Sequence, residues 1–170
     1  MMDPRELPVY EALKALNIPY ERIEHEDART MEDLTAVDER AGVVHCKNLF
    51  LCDRQRANFY LLLLGANKKF RTAEVSKQLG VARLSFAEPE YLLERLGLLP
   101  GAVTPMGLIN DPERLVTVLV DEDLEKEEAV LVHPNVSTAS IRLSVKDLFR
   151  YLNERGNRRI PVRVTSLLED

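Results

Sequence analysis

The chain has 170 residues, 45% of them hydrophobic and 30% charged, which suits a single globular domain with a buried core. Its formal net charge of −5 excludes a protein that grips DNA or RNA over a broad basic face, and leaves room only for a local basic patch. No run approaches the roughly 20 apolar residues of a membrane helix, and the charged N-terminus MMDPRELPVYEALK lacks a signal-peptide apolar core, so the expected address is the cytoplasm.

Asp3 before Pro4 predicts an N-cap and first helical position, and Leu7, Tyr10, Leu13 and Leu16 recur at helical spacing until Asn17 to Pro19 end the helix. Tyr20 to His25 reads as a short strand. Thr30, with Asp33 three residues on, predicts a second helix through Val37 to about Arg40. Lys47 to Cys52 and Phe59 to Leu64 are strands joined by the polar turn DRQRAN, a link short enough for an antiparallel hairpin.

Ala73 to Leu79 and Glu88 to Leu96 are short helices stopped by Gly80 and Gly97, with a strand expected at Arg83 to Phe86 between them. The apolar stretch LLPGAVTPMGLIND holds two prolines and two glycines, so it is expected to be irregular yet packed. Leu115 to Val120, Ala129 to Val132 and Ser140 to Leu143 are further strands, the first two separated by the acidic turn DEDLEKEE. Ser144 opens a helix with Val145, Leu148, Phe149 and Leu152 inward, Gly156 ends it, and Pro161 to Leu167 supplies the last strand. Helices interleaved with seven or eight short strands, several at hairpin spacing, predict a mixed α/β (α+β) single domain over 1–170.

Nucleotide-loop and hydrolase-elbow patterns are missing. Cys46 and Cys52 lack zinc spacing, lie at even separation near one strand, and read as reduced thiols on a shared face; with three scattered histidines, a Cys46 nucleophile has little support. No metal or other cofactor is expected. Chemistry can sit at three places. Lys47 and Asn48 head an otherwise apolar strand, where the lysine either snorkels to water or serves a ligand. Gly101, Ala102, Val103, Thr104 and Pro105 form a stiff loop that either turns the chain or presents backbone groups. His133 ends a strand before Pro134, with Ser137 and Thr138 following. A basic cluster of Lys68, Lys69, Arg71 and Lys77 is either a solvated face or a nucleic-acid contact.

The order and spacing of KNLFL, PGAVTPMGL and HPNVSTAS resemble the signature segments of the prolyl-tRNA editing deacylases of the YbaK/ProX superfamily, and of their free-standing branch that clears alanine from tRNA for proline. The resemblance implies a domain with a curved, barrel-like mixed sheet flanked by helices. It implies metal-free hydrolysis of the ester that joins a mischarged amino acid to the terminal adenosine. It makes Lys47 the catalytic residue, and Asn48, Gly101 to Pro105, His133, Ser137 and Thr138 the substrate-binding set. Ser137 stands where the family often has Asn, and Met106 where it often has Phe. The implied partners are the acceptor end of mischarged tRNA(Pro), held by Lys68, Lys69, Arg71 and Lys77, and prolyl-tRNA synthetase. Cysteine in place of alanine, or a non-catalytic module binding tRNA or the synthetase, are the alternatives.

Overall fold

Two sheets, rather than one curved sheet, carry the fold. The computed structural model describes residues 2–27, 36–38, 41–43, 45–165 and 167. Asp3 caps a 3-10 turn, Pro4–Glu6, in a reciprocal capping box with Glu6, and helix α1 (Leu7–Ala15) continues from it. Val9 and Leu13, four apart, form its buried stripe, while Leu7 is exposed. Of the predicted second helix, Thr30, Asp33 and Arg40 lie outside the described residues; residues 36–38 are helical.

The larger sheet has the order β4 (Ser85–Phe86), β2 (Cys46–Cys52), β3 (Phe59–Gly65), β5 (Val116–Asp121), β8 (Arg159–Val162). The β2–β3 hairpin is antiparallel, as its short turn requires, whereas β3–β5 and β5–β8 are parallel. The smaller sheet pairs β1 (Glu21–Glu24), β7 (Ala139–Ser144) and β6 (Ala129–Val132), all antiparallel. A parallel bridge between His45 and Leu131 joins the two sheets at a corner. The barrel-like expectation is corrected to this open arrangement.

The run FYLLLL of β3 is buried throughout because both faces of the larger sheet are covered. Leu61 and Leu63 point into the main core with α1, α3 (Pro89–Leu96), α4 (Val145–Arg155) and the inner residues of the smaller sheet. Tyr60, Leu62 and Leu64 point into a second cluster under α2 (Thr72–Leu79). Cys46 and Cys52 share the main-core face as free, buried thiols. Gly80, Gly97 and Gly156 end their helices with φ of 69°, 66° and 78°, the left-handed region in which glycine meets no Cβ penalty.

Several expected boundaries move. LLPGAVTPMGLIND contains a 3-10 helix, Pro105–Asn110, with Thr104 as its cap, and the acidic turn contains another, Glu122–Lys126. On α4 the fully buried aromatic is Tyr151, not Phe149, because its hydroxyl reaches the carbonyls of Pro105 and Met106 at 2.9 and 3.1 Å. The last strand is Arg159–Val162: β8 is a sheet edge, so Pro161 needs no ladder donor on its open side. Leu167 makes an isolated antiparallel bridge to Lys68, outside that strand. Among the described residues, no helix is long and apolar enough to cross a membrane.

Candidate active site

Strand β2 alternates its side chains between the two cores. Cys46, Phe50 and Cys52 face the main core, Leu49 and Leu51 the second. Lys47 therefore lies on the second face and Asn48 on the first. Both nonetheless line one cavity of about 250 Å³, with His45, Cys46, Leu49, Ala66, Gly101, Val103, Val132 and His133. The cavity sits at the head of β2, where, among the described residues, Lys47 to Leu49 have no strand partner on the edge that β4 meets at Leu51 and Cys52. An edge position lets consecutive residues reach the same space.

Lys47 is half-buried, and its Nζ donates to the Lys68 carbonyl at 3.2 Å. Burial pushes its pKa below the usual lysine value, a cost that a bound anion or oxyanion would relieve. Asn48 works as a brace: its Nδ2 donates to the Val103 carbonyl at 3.2 Å and to Cys46 O at 3.1 Å. The loop is braced again from inside. Thr104, fully buried, donates its hydroxyl to the His133 carbonyl at 2.6 Å and accepts from the Met106 amide at 3.2 Å. Gly101 sits at φ 89°, a conformation that admits glycine and strains other residues. Two hydrogen bonds thus fasten the loop to β2 on one side and to the end of β6 on the other.

His133 is buried, and its Nδ1 lies 3.0 Å from the Ala139 carbonyl, which fixes a proton on that nitrogen and leaves Nε2 as the ring's acceptor. Burial pushes its pKa down to about 4, so the ring is neutral at physiological pH. All three histidines of the chain gather here, a clustering with no sequence signal. His45 and His25 lie 5.7 and 6.2 Å from His133 between ring centres. Ser140 Oγ stands 2.9 Å from both His25 Nε2 and His45 Nε2, and Asp38 bonds His45 Nδ1 and, at 2.9 Å, the His45 amide.

The expected catalytic residue Lys47 and, of the expected substrate-binding set, Asn48, Gly101, Val103 and His133 come together around the cavity. Ala102, Thr104 and Pro105 are buried behind it, and Met106, fully buried in the main core, is no part of its wall. Ser137 and Thr138 lie away from it, Ser137 bonding Asp27 and Thr138 O accepting from the His25 amide. Cys46 lines the cavity, but burial pushes its thiol up to about 12, leaving almost no thiolate for nucleophilic work.

The basic cluster divides. Lys68 is buried: its Nζ meets Asp123 at 2.6 Å, Asp121 at 3.4 Å and the Val164 carbonyl at 2.5 Å. Burial opposes its charge, but these carboxylates outweigh it and raise the pKa. As a surface contact for tRNA, Lys68 is corrected to a structural ion pair. Lys69, Arg71 and Lys77 are exposed.

Residues 25–151 match the aminoacyl-tRNA editing domain. The chain belongs to that family. This editing domain is 34% identical over 145 residues to the prolyl-tRNA editing protein ProX of Acetoanaerobium sticklandii, covering 85% of this chain and 88% of that protein. It is 37% identical over 147 residues to prolyl-tRNA synthetase associated domain-containing protein 1 of Danio rerio, covering 85% and 79%. In fold it is similar to the crystal structure of a candidate trans-editing enzyme for prolyl tRNA synthetase, with a TM-score of 0.74 at 21% identity over 97% of this chain and 100% of the other.

Proposed function

We propose that this editing domain is a free-standing hydrolase that removes alanine from mischarged tRNA(Pro). The observation that carries the reading is the convergence of Lys47, the doubly braced 101–105 loop and neutral His133 on one small cavity, in a chain of the aminoacyl-tRNA editing family.

An aminoacyl ester is already activated, so the site chiefly needs to orient the ester and stabilise charge as water adds to its carbonyl. The Lys47 ammonium supplies a compact positive charge for that oxyanion or for the adjacent phosphate. The neutral Nε2 of His133 accepts from the substrate's α-ammonium, and the Gly101–Val103 backbone lines the amino-acid side. As water adds, its proton passes by way of the neighbouring hydroxyl of the terminal adenosine to the ester's ribose oxygen, and collapse of the intermediate breaks the acyl C–O bond and releases alanine. Asn48 and Thr104 act by holding the loop.

The cavity walls of Ala66, Val103 and Val132 favour a small apolar side chain. Size exclusion rejects proline but discriminates poorly between alanine and something equally small. The tRNA acceptor end would meet Lys69, Arg71 and Lys77, and prolyl-tRNA synthetase is a further partner. Deacylation of alanyl-, cysteinyl- and prolyl-tRNA(Pro) by the purified protein tests the reading. Hydrolysis of the alanyl ester ahead of the other two supports it; preference for the cysteinyl ester reassigns the substrate; hydrolysis of none overturns it.

A further inference from the structure

Every ring nitrogen of His25 and His45 faces a partner. His25 Nδ1 lies 2.7 Å from the Glu26 carbonyl, both Nε2 atoms lie 2.9 Å from Ser140 Oγ, and His45 Nδ1 meets Asp38 Oδ1. Four hydrogen bonds in series need four hydrogens. Two neutral imidazoles and one hydroxyl supply three, and an ionised carboxylate supplies none. The series therefore closes only when it holds one extra proton. That proton can sit on Asp38, on His45 or on His25. Each placement reverses the bonds between, with the Ser140 hydroxyl turning at the centre, and each leaves the group neutral overall.

The order Asp38–His45–Ser140 matches the connectivity of a serine-hydrolase triad. Ser140, however, is fully buried and does not line the cavity, so its hydroxyl relays and does not attack. We propose that Asp38, His45, Ser140 and His25 are positioning residues for deacylation, a proton-closed clamp that ties residues 36–38 and the end of β1 to the head of β2. The proposal rests on the editing function argued above. His45 lines the cavity two residues before Lys47 and stands beside His133, so its register sets where both present themselves.

Loss of the proton forces two acceptors to face each other at one link, and the clamp opens. Burial pushes the Asp38 carboxyl up to about 6 and His45 down to about 4, so the proton rests on Asp38 and leaves as pH rises through about 6. The charged and titratable neighbours are His133 at the end of β6, Asp27 close to it, Cys46 next in sequence, and Glu24 and Glu26 flanking His25. Across a larger cleft that His45 also lines stand Lys126, Glu127, Glu128 and Arg142. Of these residues only Glu26 joins the series, through its backbone carbonyl; none of their side chains makes one of the four bonds.

Nitrogen-15 NMR of the three imidazoles reads the clamp directly. As Asp38 loses its proton near pH 6, His45 should change from the Nε2–H to the Nδ1–H tautomer, with His133 remaining an Nδ1–H tautomer. Asp38→Asn should erase that transition, because an amide can donate to His45 Nδ1 and close the series without an extra proton. In deacylation of alanyl-tRNA(Pro), the wild-type kcat/KM should exceed that of Ser140→Ala about tenfold at pH 5.5, the scale of a small misplacement, and the ratio should fall toward one by pH 7.5. Asp38→Asn should flatten the wild-type profile. A His45 tautomer that stays fixed across pH 6, or a ratio independent of pH in an active enzyme, would overturn the clamp alone. Absence of deacylation by the wild type at every pH would overturn the editing function, and the positioning role with it.

Discussion

Replacing Lys47 by methionine separates a residue that serves substrate from one that serves the fold. Methionine keeps an unbranched stem of similar reach and removes the charge. The loss to stability is one hydrogen bond, Nζ to the Lys68 carbonyl at 3.2 Å, worth about 0.5–1.5 kcal/mol. It is offset in part because burial already disfavours the ammonium. For a chain of this size each kcal/mol moves the melting temperature by about 2–4 °C, so Tm should fall by less than about 5 °C. Removal of one donor aimed at a developing oxyanion costs about 10²–10³ in rate, or about 2.7–4 kcal/mol. Single-turnover deacylation of alanyl-tRNA(Pro) and thermal melts on the same preparations give both numbers. A variant that keeps more than about a fifth of the wild-type rate would show that Lys47 only snorkels to water. A drop in Tm beyond about 10 °C would show that the charge belongs to the fold.

Lys68→Met should destabilise by about 3–5 kcal/mol, since it strands Asp121, whose side chain is 1% exposed, without its cation; urea titration measures this, and a change below about 1 kcal/mol would contradict the burial. Joint replacement of exposed Lys69 and Lys77 by alanine should leave stability within about 0.5 kcal/mol and raise KM more than it lowers kcat, because remote charges bind ground and transition states alike; an unchanged KM moves the tRNA elsewhere on the surface. Thr104→Val, which keeps shape but leaves the buried His133 carbonyl without its donor, should cost about 1–3 kcal/mol and loosen the loop, read as a lower denaturation midpoint with a reduced kcat. Alkylating reagents at pH 8 should leave deacylation intact, because burial holds the Cys46 thiol at about 12; inactivation that Cys46→Ser prevents would restore the nucleophile.

Local chemistry alone determined much of this protein. The hairpin around DRQRAN, the glycine stops at 80, 97 and 156, and the shared face of Cys46 and Cys52 follow from period-2 alternation, short turns and the left-handed preference of glycine, all of which act within a few residues. The order of KNLFL, PGAVTPMGL and HPNVSTAS likewise marked the segments that meet at the cavity. Tertiary structure decided what each polar residue does there. A lysine reads the same whether it is solvated, like Lys69, or sealed between Asp121, Asp123 and the Val164 carbonyl, like Lys68, because its partners come from distant segments. Asn48 follows Lys47 directly, yet the pleat turns it to the opposite face, where it braces the loop. His25, His45 and His133 look scattered along the chain. Only the corner where β7 and the end of β6 meet the head of β2 brings them together, His25 and His45 on Ser140 and His133 beside both rings, since hydrogen bonds between residues far apart in sequence are set by packing and not by pattern.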